Sequence, residues 1–388
     1  MSATAEHHWP SLISAATAAV VVGFASTILV VIEGARAVGA TAAQQASVAA
    51  SLCFAMAITS AILAYRYKQP IMLAWSTPGA VLIATSGADI SFPEAIGAFM
   101  FAGLLMVITA LIKPLSQAIN KMPASIAAAM LAGVLLRYVL GVPNATLAMP
   151  TLVVPLVVAF FILRLLVPMY AVPVIVLLGL VFAGISGSFA SAIPIGITPL
   201  TFDVPQWNTT AIIGIGLPLY LVTMASQNLP GFAVLRANGY EPPVAACLLV
   251  TGLGSMMAAP FGSHAVNMAA ITAAMVAGPD AHPDSKQRWK MIYPYTVLYV
   301  VFGLAAGTFV ALLGHMPKEL VTAVAGLALF APLMGGMAAM VKDQRDIEAA
   351  LVTFLVTASG ISILGVGSAF WGLLAGLLVW LMKRLQRH

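Results

Sequence analysis

Side chains able to bind a polar ligand or move a proton are scarce in this apolar chain, so each one is informative. His264 lies in the run APFGSHAVNMAAITAAMVAG (Ala259–Gly278) and is the one histidine of six set well inside an apolar segment. An ionisable group at membrane depth is costly and usually functional, and imidazole titrates near physiological pH. His264 is therefore a candidate to bind a carboxylate, carry a proton, or do both; the plain alternative is a neutral imidazole bonded to a backbone carbonyl. Asn267, three residues on, shares a face with it if the run is helical. A second cluster is SQNLPG (Ser226–Gly231), where Ser226, Gln227 and Asn228 interrupt an otherwise apolar run. Three adjacent polar side chains face protein or a cavity rather than lipid, as helix-to-helix hydrogen bonds or as ligands, and Pro230 with Gly231 predicts a deformed helix. Ser26 and Thr27 are the matching polar pair in the first apolar run, and Phe24 and Trp75 are aromatic groups that either hold a ring or pack.

Two segments that must position these groups are broken alike, one in each half. LAWSTPGAVLIATSG (Leu73–Gly87) and Ala259–Gly278 each start as extended-looking residues, are interrupted by Pro, Gly and Ser or Thr, and restart as a short helical run. Paired interruptions of this kind point to the substrate site of a secondary transporter. In the first, Ser76 or Thr77 caps a helix whose first turn holds Pro78, where a missing N–H is harmless. In the second, Ser263 is expected to cap, with Gly262 giving backbone room. If the two half-helices face each other, Thr77–Ala80, with Gly79, and Ser263–Asn267 bring backbone N–H groups and positive dipole ends to one spot, which favours an anion.

Composition sets the class. Hydrophobic residues make up 61% of the chain, charged residues 7%, and mean hydropathy is +1.03. A span needs about 20 apolar residues, so fourteen would use roughly 280 of the 388. Apolar runs place spans near 11–33, 43–64, 71–87, 93–113, 123–141, 150–167, 170–190, 209–235, 242–258, 259–278, 288–314, 317–341, 346–364 and 366–384, with Ala190–Asn208 linking the halves. The opening MSATAEHHWP lacks a basic region and cleavage site, so retention is expected. Cys53 and Cys247 lie in apolar runs without a CxxC partner, which supports neither a disulfide nor a metal. Nothing matches a P-loop, GxSxG or HExxH pattern, and no cofactor, nucleic-acid partner or enzymatic nucleophile–base pair is indicated.

With the N-terminus inside, fourteen basic residues fall on the cytoplasmic face (among them Arg66, Lys68, Lys113, Lys121, Lys286, Lys290, Lys342 and Arg387) and three on the other, Arg36, Arg137 and Lys318. That asymmetry follows the positive-inside rule, puts both termini in the cytoplasm, and assigns the net charge of +5 to loops rather than to an anionic macromolecule. Internal similarity supports duplication. Met122-Pro123 and Met316-Pro317 open comparable runs, and FASTILVVIEGARAVG (Phe24–Gly39) lies over MASQNLPGFAVLRANG (Met224–Gly239). Seven is odd, so the second copy is expected to be inverted.

The segments TMASQNLPGFAVLRANGY (Thr223–Tyr240) and PFGSHAVNMAAITAA (Pro260–Ala274) resemble signatures of the benzoate/proton symporter (BenE) family, and the resemblance extends over nearly the whole chain. It implies an all-α polytopic fold of fourteen spans in a 7+7 inverted repeat, shared with uracil permease and the sulfate-permease carriers. A core subdomain (1–113 and 209–314) would move against a gate subdomain (123–190 and 317–388), through which members often form homodimers. Substrate would sit between broken spans 3 and 10. Nucleobase members carry acidic residues where this chain has Ser226, Gln227, Asn228, His264 and Asn267, which suits an aromatic monocarboxylate and leaves His264, or the substrate itself, to carry the proton. The expected function is inner-membrane import of benzoate or a related aromatic acid by proton symport. A nucleobase or inorganic-anion carrier of the same fold, or a passive anion channel, is the alternative.

Overall fold

A computed structural model describes residues 9–86, 89–112, 123–185, 187, 195–269, 271–364 and 366–386. Lys113, Lys121, Met122, Arg387, the first eight residues and the start of the 190–208 linker lie outside the described residues. Helices dominate: α1 (Trp9–Ala37), α2 (Ala42–Tyr67), α3 (Thr77–Ser86), α4 (Phe92–Leu111), α5 (Ala124–Val139), α6 (Gly141–Ala148), α7 (Pro150–Leu166) and α8 (Ala171–Ile185) form the first half. The second half holds α9 (Thr209–Ala237), α10 (Val244–Ala258), α11 (Ile271–Ala277), α12 (Ile292–Leu304), α13 (Ala306–Gly314), α14 (Lys318–Ala328), α15 (Phe330–Met340), α16 (Ile347–Ser359) and α17 (Ser368–Leu385). Among the described residues eight helices are long and apolar enough to cross a membrane, and α12 with α13, bent by 55°, makes a ninth.

Small residues let these helices approach closely, as packing without a hydrophobic drive between helices requires. A Cβ on Gly103 of α4 would lie 2.9 Å from the Gly252 carbonyl of α10, and one on Gly252 would lie 2.8 Å from the Gly103 carbonyl. Hydroxyl-capped starts organise several helix ends. Thr41 and Gln44 cap α2 reciprocally, and Ser91 with Glu94 does the same for α4, each satisfying donors that would otherwise be orphaned.

At the centre are two short strands, β1 (Leu73–Trp75) and β2 (Val266–Met268), paired antiparallel with Ala74 opposite Asn267. Extended backbone deep in a membrane protein is tolerated only where its polar groups are satisfied, and here side chains from surrounding helices close both edges. Leu73 N–H donates to Ser60 Oγ (3.0 Å), Val266 N–H to Ser255 Oγ (2.8 Å) and Met268 N–H to Asn228 Oδ1 (2.8 Å). The Tyr295 hydroxyl donates to the Leu73 carbonyl. Beyond the paired residues, Ser76 N–H reaches Ala265 O and Ala269 N–H reaches Met72 O.

The described part of the connector, residues 195–208, is also bonded to the helices around it. Thr198 sits at the bend between α12 and α13, its N–H and Oγ1 both donating to Leu304 O (2.9 and 2.8 Å) and its Oγ1 accepting from Gly307 N–H at 2.8 Å. Thr201 N–H donates to Ser47 Oγ, Asp203 N–H to Pro260 O, and Gln206 N–H to Pro93 O.

Several boundaries differ from the sequence expectation. The run expected as one span at 288–314 bends by 55° at Ala305, whereas that at 317–341 crosses as one helix, Lys318–Met340, with a local irregularity at Leu329. The run 346–364 stops at Ser359, because Gly360 adopts φ +68 and a hairpin of β3 (Ser362–Ile363) with β4 (Val366–Gly367) follows. In the second broken segment the helix begins after β2, not at Ser263: Gly262 (φ +94) closes a turn that ends α10, and residues 263–268 are extended. Apolar runs of this length carry no periodicity that separates strand from helix.

Candidate binding site

A cavity of about 440 Å³ lies beside the β1–β2 ribbon. One wall comes from α1, β1, the start of α3, α9, α11 and α12; the other comes from α5, α14, α15 and the start of α8. Its polar side chains are Ser26, Thr27, Thr77, Gln227, Thr272 and Tyr299. Trp75, Met169, Val172, Leu131, Leu135 and Met275 give an apolar surface, and among the described residues no Asp, Glu, Lys, Arg or His lines the cavity.

The start of α3 is built by Ser76, whose Oγ accepts from Gly79 N–H at 3.1 Å and from Thr223 Oγ1 at 2.8 Å. This is the helix cap expected of Ser76. Of the first three residues, Pro78 has no N–H and Gly79 is capped, so Thr77 alone offers an N–H without a partner among the described residues. Gly79 lies against Leu219 and Ser76, away from the cavity; a Cβ there would meet Leu219 Cδ1 at 2.3 Å.

Trp75 is held edge-on to Phe24 at 5.8 Å, and its Nε1–H donates to Thr27 Oγ1 at 2.7 Å. Phe24 itself is buried behind it against Phe302 and Phe309 rather than on the cavity wall. The expected polar trio on α9 divides three ways, because successive residues on a helix point in different directions. Gln227 faces the cavity, Ser226 Oγ donates back to Val222 O (2.5 Å), and Asn228 holds the edge of β2. These residues form one wide turn, Met224–Asn228, ahead of Pro230, the deformation the Pro-Gly pair predicts; a proline without an N–H releases the preceding turn.

His264 stands on the far side of the ribbon. Its Nε2–H donates to the Ser76 carbonyl at 2.9 Å, its ring meets Phe99 edge-on at 6.3 Å, and it borders a separate space of about 10 Å³, roughly one water in size. His264 and Asn267 share no helix face, since the backbone between them is extended and residues three apart point to opposite sides. The Asn267 carboxamide, oriented to satisfy both its groups, accepts from Ser76 N–H (2.8 Å) and donates to Met268 O (2.9 Å). Ser263 is fully buried and caps no helix, and Gly262 lines the small space beside His264. Of the residues singled out from sequence, Ser26, Thr27, Trp75, Thr77, Pro78 and Gln227 line the large cavity, and the others stand behind it. Thr272 and Tyr299 join the wall without having been anticipated; a threonine or tyrosine in an apolar helix has no sequence mark that separates lining from packing.

Comparison with known proteins fits this architecture. In overall fold the chain is similar to SLC26A9 (TM-score 0.64, 12% identity, 96% of this chain against 65% of that one) and to the transmembrane domain of the cyanobacterial bicarbonate transporter BicA (TM-score 0.62, 16% identity, 96% of this chain and 98% of that one). In sequence it is 36% identical to the inner membrane protein YdcO of Escherichia coli over 95% of this chain and 94% of that one. It is 31% identical to the benzoate membrane transport protein of Acinetobacter baylyi over 93% of this chain and 92% of that one. The model of the family described as benzoate membrane transport protein (BenE) matches residues 6–382, and the chain belongs to that family of membrane transporters.

Proposed function

We propose that this protein is an inner-membrane symporter importing benzoate or a related aromatic carboxylate together with a proton. The observation that carries the reading is the chemistry of the large cavity wall. Its volume of about 440 Å³ is some three times the roughly 150 Å³ that accepts benzene in an apolar core, so a substituted ring fits beside Trp75. Gln227, Thr77 and Thr272 then meet the carboxylate. Because the wall carries no cation and α3 offers one unpartnered N–H, a bare carboxylate is poorly compensated there. A proton entering with it removes that cost, which supports symport over uniport. His264 is the coupling group in this reading, acting through Ser76, whose carbonyl it holds and whose hydroxyl caps α3.

The three shorter apolar helices (Pro150–Leu166, Ala171–Ile185 and Ile347–Ser359) and the two broken segments, added to the nine spans, give fourteen. We assign them to a 7+7 inverted repeat with both termini cytoplasmic. The core (1–113 and 209–314) would slide as one body against the gate (123–190 and 317–388), which also offers the face for a homodimer. The two walls of the cavity divide along this boundary, which supports elevator-like access.

The test is uptake of labelled benzoate into proteoliposomes with and without an inward proton gradient. Saturable, gradient-driven accumulation is expected. Flux that neither saturates nor follows the gradient would favour a channel, and uptake of nucleobases or inorganic anions in preference to benzoate would overturn the substrate assignment.

A further inference from the structure

At one end of the bundle, α2 ends at Lys68, a non-glycine residue with φ +52. Its Nζ lies 3.8 Å from the Tyr65 ring centroid and 3.9 Å from that of Trp289. Such contacts hold an ammonium in place without neutralising it. The rings continue as a belt, Tyr65 to Trp289 (5.9 Å), Trp289 to Tyr293 (5.9 Å), and Tyr293 to Trp9 (6.4 Å). Aromatic belts of this kind mark the level of lipid headgroups.

Below the belt, α2 and α12 pack together and turn exposed apolar faces outward. On α2 these are Ile58, Ile62 and Tyr65 (59%, 52% and 61% exposed), and on α12 they are Tyr293, Val297 and Val301 (45%, 61% and 50%). The spacings of three and four residues put each trio on one helix face. The two trios make an exposed apolar strip running roughly 15 Å from the level of Lys68, at 1.5 Å per residue. Besides Lys68, Arg66 belongs to the last turn of α2, and Lys286 and Lys290 to the segment that leads into α12. Three carboxylates, Glu241, Asp280 and Asp284, belong to the same loops, but the ion pairs among the described residues are Arg36–Glu33 and Lys383–Glu348, so none reaches these cations.

We infer that this strip binds an anionic phospholipid, its phosphate at Lys68 and an acyl chain along Ile58, Ile62, Val297 and Val301. The charge at the Lys68 end and the apolar length of the strip match the two parts of one such lipid, and neither matches a zwitterionic lipid or a free ion equally well. The site is separate from the transport cavity, so its occupancy stabilises the α2–α12 pair without contacting substrate.

Native mass spectrometry of the full chain in detergent tests this, with phosphatidylglycerol and phosphatidylcholine of identical acyl chains. The wild type should retain phosphatidylglycerol preferentially. Lys68→Gln should weaken that binding about five-fold, the equivalent of ~1 kcal/mol per basic residue at an anionic surface, while Lys68→Arg should restore it. Phosphatidylcholine binding should change in neither. Equal retention of the two lipids by the wild type, an undiminished preference in Lys68→Gln, or displacement of the lipid by millimolar inorganic phosphate would each overturn the assignment. Unchanged gel filtration and benzoate counterflow for Lys68→Gln would show that folding and the transport site are intact.

Discussion

Replacing Ser76 with alanine probes the point on which the centre of the molecule depends. The Ser76 hydroxyl accepts from Gly79 N–H and from Thr223 Oγ1, and the residue is fully buried. Its removal deletes a helix cap, about 1 kcal/mol, and leaves the buried Thr223 hydroxyl without its acceptor, about 1–3 kcal/mol for a buried unsatisfied group. Hydrogen bonds within membrane proteins average nearer 0.6 kcal/mol because the unfolded chain also finds partners, so we expect a total near 2 kcal/mol. Thr223→Val removes the second donor but leaves the cap, and should cost about 0.6 kcal/mol. Because Thr223 has nothing left to donate to once Ser76 is alanine, the double variant should be more stable than the sum predicts, by about 0.6–1.7 kcal/mol. Unfolding in mixed detergent micelles, followed by tryptophan fluorescence, gives all four corners of the cycle. Fraying of α3 should also raise the half-saturation concentration for benzoate in Ser76→Ala, since Thr77 loses its anchor. Strict additivity, or a Ser76→Ala protein as stable as the wild type, would refute the reasoning.

Gln227→Leu should raise the half-saturation concentration for benzoate about five-fold, as loss of a hydrogen bond of about 1 kcal/mol does, with stability unchanged; unaltered uptake kinetics would remove Gln227 from the site. His264→Gln keeps a donor for the Ser76 carbonyl but cannot titrate, so counterflow should persist while gradient-driven accumulation is lost. Full accumulation in that variant would sink the coupling role. Gly262→Ala should destabilise by about 2–4 kcal/mol, combining left-handed strain with overpacking: φ is +94 and the new Cβ would meet Val48 Cγ2 at 2.4 Å. A thermal midpoint within a degree of wild type would contradict it. Trp75→Phe should cost only about 0.5–1.5 kcal/mol, the worth of the bond to Thr27, and retain binding of aromatic acids, checked by equilibrium binding of labelled benzoate.

The breaks were legible because proline, glycine and serine carry strong backbone instructions, and at Ser76 the cap, the first helical residue and Pro78 all fall where those instructions put them. The same logic failed at Ser263. Gly262 there serves a turn that closes the preceding helix, and the following Ala-Val-Asn-Met reads equally as strand or helix without its partner β1 in view. Partnership also decided the polar clusters. Nothing local tells Gln227, which faces the cavity, from Asn228, which closes the edge of β2. His264 was recognisable as special by its depth, but its distance from the cavity depends on which side of a two-stranded ribbon it takes, and that is a tertiary fact.

The connector at 195–208 has a consequence for how the gene can be cut and rejoined. Surface linkers ordinarily tolerate added length, since each doubling costs only about 0.6 kcal/mol. Here Thr198 fills the α12–α13 bend, and Thr201, Asp203 and Gln206 bond in turn to α2, the end of α10 and the start of α4. Two glycines inserted after Leu200 would leave Thr198 seated and carry every later contact out of step. A split protein assembled from two polypeptides would need this stretch whole on one of them, so that the seam belongs to the fold.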